Sequence, residues 1–160
     1  MFDFFSTGHL YRISWTGPNS HDGWLVLDRN GNGRIDDGTE LFGNMTPQPD
    51  APAKLRNGFR ALAEYDRASQ GGNDDGVIDS RDAVFDRLRL WIDANHNGIS
   101  EPGELHHLRE FDIAAVSLNY KTSPFVDGYG NRFRYRSRIL ASGNADVGRW
   151  AYDVFLLLQK

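Results

Sequence analysis

Residues 93–104 of this 160-residue chain read DANHNGISEPGE. Calcium ions in proteins take about six to eight oxygen ligands, and one common loop supplies them from positions 1, 3, 5, 7, 9 and 12, with glycine at position 6. The stretch has Gly98 at position 6 and an oxygen donor at each ligand position. These donors are Asp93, Asn95, Asn97, the carbonyl of Ile99, Glu101 and Glu104. This spacing would arise by accident about once in a thousand trials, so the stretch predicts a calcium site.

Residues 28–40 follow the same template with one extra residue. Their oxygen donors are Asp28, Asn30, Asn32, the carbonyl of Arg34, Asp36 and Glu40. Glu40 comes one residue after position 12, so we expect the chain to bulge and turn this side chain back toward the ion. The acidic Asp37 and the flexible Gly38 precede Glu40 and favour such a turn. This stretch predicts a second calcium site.

A third stretch matches the template at its end but not at its start. Its donors from position 3 onward are Asn73, Asp75, the carbonyl of Val77, Asp79 and Asp82. Gly71 stands at position 1 and offers no side-chain oxygen. Two interpretations remain open. Either Asp66 swings in across the Gly-rich insertion as the first ligand, or the loop is a metal-free relic that pairs with a working neighbour.

Apolar residues at a spacing of three or four predict helices beside these loops. The pattern covers residues 58–66, 80–91 and 104–111, and Ser80 is a suitable N-cap for the second of these segments. A helix, a loop and a helix would then follow one another. This order is typical of EF-hand units.

The two ends of the chain favour strands. Residues 10–16 and 24–27 predict an N-terminal hairpin, and alternation between polar and apolar residues from 115 onward predicts an antiparallel meander. The predicted fold class is α+β, with EF-hand-like helix-loop-helix units between these strands. We expect a single domain over residues 1–160, with the hairpin in 1–27, the loops and helices in 28–112 and the meander in 113–160.

Composition excludes several classes of function. The chain has no cysteine, so neither disulfides nor a thiolate zinc site can form. No apolar run reaches the roughly 20 residues that a membrane span requires. A formal net charge of −4 does not indicate a nucleic-acid partner. No HExxH motif or other catalytic constellation is present, and we expect no enzymatic activity.

Each of the two complete loops carries three carboxylates, with asparagine at positions 3 and 5. Because affinity follows ligand charge and rigidity, we expect micromolar to millimolar calcium binding with a mainly structural role. The cofactor expected is Ca²⁺, at two sites with a third in question. The apolar tail 154–158 offers a surface for a neighbouring domain of a longer chain.

An alternative function rests on a stripe of arginines at alternating positions. These are Arg132, Arg134, Arg136 and Arg138. If they share one strand face, they could bind an anionic ligand in a calcium-stabilised adhesion domain. A merely solvated strand face is the simpler interpretation.

Three segments resemble the EF-hand-like modules of large secreted bacterial calcium-binding proteins. They are LVLDRNGNGRIDDGTELFG (25–43), NGFRALAEYD (57–66) and GVIDSRDAVFDRLRLWIDANHNGISEPGEL (76–105). The resemblance implies calcium ligation at the positions named above and export within a longer bacterial protein, hence an extracellular or cell-surface location. Some related modules cut themselves at an Asp-Pro bond once calcium binds. No proline of this chain follows an aspartate, so self-cleavage is not expected.

Overall fold

The computed structural model describes residues 1–13, 16–17, 20 and 22–159. Within them, strands far outnumber helices, and one α-helix, α1, covers Gly58–Ala63. The strands are β1 (Arg12–Ile13), β2 (Trp24–Val26), β3 (Val77–Asp79), β4 (Arg89–Trp91), β5 (Leu105–His107), β6 (Ala115–Ser117), β7 (Lys121–Thr122), β8 (Arg132–Ala141), β9 (Ala145–Phe155) and β10 (Leu158–Gln159). Single 3-10 turns connect several of them.

The strands form three antiparallel sheets. In the first, β4 lies between β2 and β5. The second has the order β3-β6-β8-β7, and β9 pairs with β8 along most of its length. The third is the short pair β1 and β10, which brings the two ends of the chain together. Each calcium loop predicted from sequence therefore leads into or out of a strand.

Two apolar clusters hold these sheets together. The larger one packs the side chains of α1 and of the loop after β3 against both main sheets, with Leu27, Leu62, Ile78 and Leu88 at most 2% exposed. The smaller one joins the N-terminal segment to the first sheet and to the loop after β2. Its members are Phe2, Val26, Ile35, Leu41 and Trp91.

The prediction of EF-hand helix-loop-helix units is wrong. The helix expected over residues 58–66 is present only as the six-residue α1. The segment 80–91 contains a 3-10 turn at Phe85–Arg87 followed by β4, and 104–111 contains β5 followed by a 3-10 turn. Short isolated helices are marginal in water, whereas β4 gains backbone pairing on both of its edges.

The strand predictions need two corrections. The first predicted strand pairs with β10 over residues 12–13 and not with β2, so the N-terminal hairpin is not formed by the described residues. The alternation along β8 is also interrupted, because a register shift lies between Phe133 and Tyr135. Residues on either side of a β-bulge no longer keep one alternation.

Candidate metal centre

The first aspartate of each complete loop organises the turn that follows it. In the first loop, the Asp28 carboxylate accepts backbone N–H groups from Asn32 (3.2 Å) and Gly33 (2.8 Å). In the second loop, Asp93 accepts from Asn97 (3.1 Å) and Gly98 (2.9 Å). The two loops therefore have the same geometry at positions 1, 5 and 6.

The asparagines draw the remaining ligand positions together. The side-chain oxygens of Asn30 and Asn95, at position 3, accept the N–H of position 5 at 2.9 Å. The amide groups at positions 3 and 5 then donate to the carboxylate at position 9. These bonds measure 3.1 and 2.6 Å to Asp36, and 2.9 and 3.0 Å to Glu101. The amide donation from Asn97 and Asn95 lowers the pKa of Glu101 and keeps it ionised.

The last glutamate closes each loop. Glu104 accepts the N–H of Ala94 at 3.0 Å and that of Glu101 at 3.4 Å, which are positions 2 and 9. Glu40 accepts the equivalent N–H groups, from Arg29 at 2.8 Å and Asp36 at 2.9 Å. Both glutamates are buried. Each loop is also closed by a backbone bond, from Leu27 to Glu40 (2.9 Å) and from Ile92 to Glu104 (3.0 Å).

The extra residue of the first loop lies in a turn over 37–40. There the Asp37 carboxylate accepts the backbone N–H and the hydroxyl of Thr39. Gly38 is essential because a β-carbon at this position would lie 2.0 Å from the carbonyl oxygen of Phe4. The N–H of Gly38 donates to the carbonyl of Asp3 at 2.9 Å, which anchors the turn to the N-terminal segment.

The two complete loops contact each other at position 8. The Ser100 hydroxyl accepts the N–H of Ile35 at 2.7 Å and donates to the carbonyl of the same residue at 3.3 Å. Both residues are 3% exposed. Sequence reasoning missed this contact because Ser100 replaces the apolar residue usual at this position, and nothing local marks its partner.

Asp66 occupies the same place in the third loop as the first aspartate in the other two. Its carboxylate accepts the N–H groups of Asp75 (3.2 Å) and Gly76 (2.9 Å), which are positions 5 and 6. Asp82 accepts the N–H of Asp79 at 2.8 Å, as the two glutamates do from their own position 9. The insertion thus leaves Asp66 in register with the rest of the loop.

Two features distinguish the third loop. The Arg81 guanidinium contacts Asp75 (2.5 Å) and Asp79 (2.7 Å), and its hydrogen bonds lower the pKa of Asp79. One carboxylate oxygen of Asp82, Oδ1, is buried without a hydrogen-bond partner among the described residues. Burial raises the pKa of Asp82, and the neighbouring carboxylates of Asp66, Asp79 and Asp75 raise it further. One hydrogen bond from a backbone N–H lowers this pKa but does not cancel the increase.

The donor sets fit a hard cation because they consist of carboxylate, amide and carbonyl oxygens. An oxygen that accepts one hydrogen bond keeps a second lone pair for a metal, and a side-chain amide can turn its oxygen inward. Across the described ranges, no cluster of three or more His, Cys, Asp or Glu side chains has the geometry of a metal site. The two complete loops depend instead on asparagine amides and backbone carbonyls for half of their predicted ligands.

The predicted arginine stripe does not lie on one face. Arg136 and Arg138 both stack on Trp150, 4.4 and 3.8 Å from its ring centre. Arg134 instead donates to the carbonyl of Lys54 and lies 4.1 Å from the ring centre of Phe155. The β-bulge separates it from the two arginines that follow.

Comparison with known proteins places this arrangement in a family. A family model described as the SPM domain matches residues 1–156. The chain belongs to the SPM domain family. The iron-regulated protein FrpA of Neisseria meningitidis serogroup C is 40% identical to this SPM domain over 131 residues, which are 82% of the chain and 11% of FrpA. The chain thus spans about a tenth of that relative. No helix in the described part of the SPM domain is long and apolar enough to cross a membrane.

Proposed function

We propose that this SPM domain is a calcium-binding module of a larger exported bacterial protein, and that calcium is mainly structural in it. The observation that carries this proposal is the repetition of one hydrogen-bond pattern in two loops. Asp28 and Asp93 each accept the N–H groups of positions 5 and 6 of their own loop. Glu40 and Glu104 each accept the N–H groups of positions 2 and 9. Simple Asx turns need only the first of these interactions.

The third loop is a weaker candidate for the same ion. Asp66 takes the hydrogen-bonding place of a first ligand, which supports the interpretation that this loop binds calcium and is not a relic. Arg81, however, already neutralises Asp75 and Asp79. Because calcium would have to displace the guanidinium from both carboxylates, we expect the third loop to bind more weakly than the other two.

A structural role follows from where the loops lie. Both complete loops begin one or two residues after a strand of the first sheet, at β2 and at β4. An ion that binds only the folded loop stabilises the fold by RT ln(1 + [Ca²⁺]/Kd), which is about 2.7 kcal/mol at one hundred times Kd. We propose that calcium holds the strand ends in place.

Calorimetric titration of the chelator-stripped protein with calcium tests the proposal, with magnesium as the control ion. We expect two equivalents of calcium, or three if the third loop binds, and a rise in melting temperature. Asp28→Ala and Asp93→Ala should each remove one equivalent. Asp50→Ala, at an exposed position outside the loops, should leave the stoichiometry unchanged.

The same variants test whether each complete loop is a calcium site. Unchanged stoichiometry in Asp28→Ala or Asp93→Ala would mean that the corresponding loop is not a site. No heat and no stabilisation at millimolar calcium would reject calcium binding altogether.

Recognition of an anionic ligand is a second candidate function. Two observations favour it. Arg136 and Arg138 both stack on Trp150 on one strand face. The exposed Lys121 lies opposite Arg136 on the neighbouring strand. We expect a heparin column at low salt to retain the protein, and to retain an Arg136→Gln/Arg138→Gln variant less. A variant with Arg67→Gln and Arg87→Gln carries the same charge change elsewhere. Equal elution of the two variants, or no retention of the wild type, would reject this candidate.

A further inference from the structure

An apolar cavity of about 230 Å³ lies between the N-terminal segment, α1 and β9. Its walls include the aromatic rings of Phe4, Trp24, Phe42 and Phe59. None of the residues predicted to bind calcium lines it. Binding sites for small molecules are typically concave, mostly apolar and provided with a few polar groups that fix orientation.

Among the residues that line this cavity, Asp153 on β9 carries a buried carboxyl group and is only 5% exposed. Its Oδ1 accepts the N–H of Gly58 at 2.8 Å. Its Oδ2 is buried without a hydrogen-bond partner among the described residues. Burial raises the pKa of Asp153, and the Gly58 bond and the charge of Arg134 only partly offset this effect.

A buried polar atom without a partner costs free energy, so its presence in a folded protein needs an explanation. The fold could have placed an apolar residue at position 153, as it does at the neighbouring cavity positions Ala151 and Phe155. A carboxyl group in a mainly apolar wall is a suitable anchor for one polar group of a ligand.

We propose that this cavity binds a small alcohol or phenol, whose apolar body fills the space between the aromatic walls and whose hydroxyl pairs with the carboxyl group of Asp153. A hydroxyl both donates and accepts, so it can pair with the carboxyl group in either protonation state. It is also much less costly to desolvate than an ammonium ion. Since a cavity of about 150 Å³ accommodates benzene, this one has room for a ligand of about ten non-hydrogen atoms.

The test uses 2-phenylethanol as the probe, with two matched ligands: ethylbenzene, which lacks the hydroxyl, and 2-phenylethylamine, which has an ammonium group in its place. Binding is followed by NMR titration in the presence of calcium, using the amide signal of Gly58, which donates to Asp153. We expect the alcohol to bind roughly tenfold more tightly than the hydrocarbon, and more tightly than the amine. Equal affinities for alcohol and hydrocarbon, or tightest binding of the amine, would overturn the proposed ligand class.

Two further variants locate the site. Ala151→Met should fill part of the cavity and weaken binding of all three compounds, whereas Ala145→Met, the same change at an exposed position of β9, should not. Asp153→Leu should abolish the preference for the alcohol and retain binding of ethylbenzene, which also reports that the cavity still exists. Undiminished binding in Ala151→Met, or an undiminished preference in Asp153→Leu, would place the ligand elsewhere.

Discussion

The buried contact between Ser100 and Ile35 should govern both the stability of the domain and the coupling of its two complete loops. Ser100→Ala removes the hydroxyl and leaves the N–H and the carbonyl of Ile35 without this partner. An unsatisfied buried N–H costs about 1–3 kcal/mol. The bond to the carbonyl is long, at 3.3 Å, and adds less. We therefore expect a loss of about 2 kcal/mol in the free energy of unfolding.

The loss can be measured by urea denaturation at saturating calcium. For a domain of this size, about 2 kcal/mol corresponds to a fall in melting temperature of roughly 4–8 °C. If both loops bind calcium, the same change should weaken binding in each and reduce the cooperativity between them, because the position-8 contact links one loop backbone to the other. Both effects should appear in one calorimetric titration.

Ser69→Ala is the matched control, since Ser69 is exposed and lies outside the position-8 contact. It should change the free energy of unfolding by less than about 0.5 kcal/mol. If Ser100→Ala behaves like Ser69→Ala in both the denaturation and the titration, the hydroxyl does not couple the loops.

Three further predictions concern single residues. Arg81→Gln should strengthen calcium binding at the third loop severalfold, because it frees Asp79 from the guanidinium, and calorimetry would show a third equivalent at lower calcium. Gly38→Ala should destabilise the fold by about 2 kcal/mol or more in urea denaturation, because its β-carbon would overlap the carbonyl oxygen of Phe4. Asp153→Asn should raise stability at neutral pH, because folding there must either protonate the Asp153 carboxyl group or bury its charge, and Asn requires neither.

The pH dependence of the last prediction has a definite sign. Burial raises the folded-state pKa of Asp153 above its unfolded value, so folding favours the protonated form. Protonation of Asp153 contributes its full stabilisation below the pKa of the unfolded state. This stabilisation is lost as pH rises through the pKa of the folded state. The advantage of Asp153→Asn should therefore disappear on acidification. Asp50→Asn, at an exposed site, should give no such trend, and the same trend in both variants would contradict the argument.

Arg81→Gln and Gly38→Ala also have matched controls. Arg67→Gln removes an exposed arginine that follows Asp66 in sequence and whose guanidinium pairs with Glu64, so the titration should change much less than with Arg81→Gln. Gly43→Ala introduces a β-carbon with nothing within 4 Å, so stability should hardly change. An effect of either control equal to that of its partner variant would remove the stated cause.

The residues that each loop brings together could be predicted from sequence because their pattern is local. A turn that begins at Asp93 and passes through Gly98 at a positive φ of 74° is determined by residues within the turn itself. The same locality explains why the pattern survives in the first loop despite the extra residue before Glu40. Local chemistry was sufficient to group these residues.

The elements beside the loops could not be predicted in this way. Residues 84, 88 and 91 are apolar at helical spacing, but 87–90 also alternates as RLRL, so the pattern fits a strand equally well. Pairing with residues 24–26 and 105–107 decides the outcome, and both partners are distant in sequence. Arg81 was likewise missed, because only the folded loop brings its guanidinium onto Asp75.

Replacing the expected helices with strands strengthens the case for structural metal binding. An EF-hand helix can gain stability from its own hydrogen bonds, but β2, β4 and β5 have three residues each and are too short to be stable alone. The backbone bonds that close the loops, at Leu27 and Ile92, continue the strand pairing into the loops themselves. Stability of the first sheet and order in the loops therefore depend on each other, and a cation that orders the loops would stabilise the sheet through the same bonds.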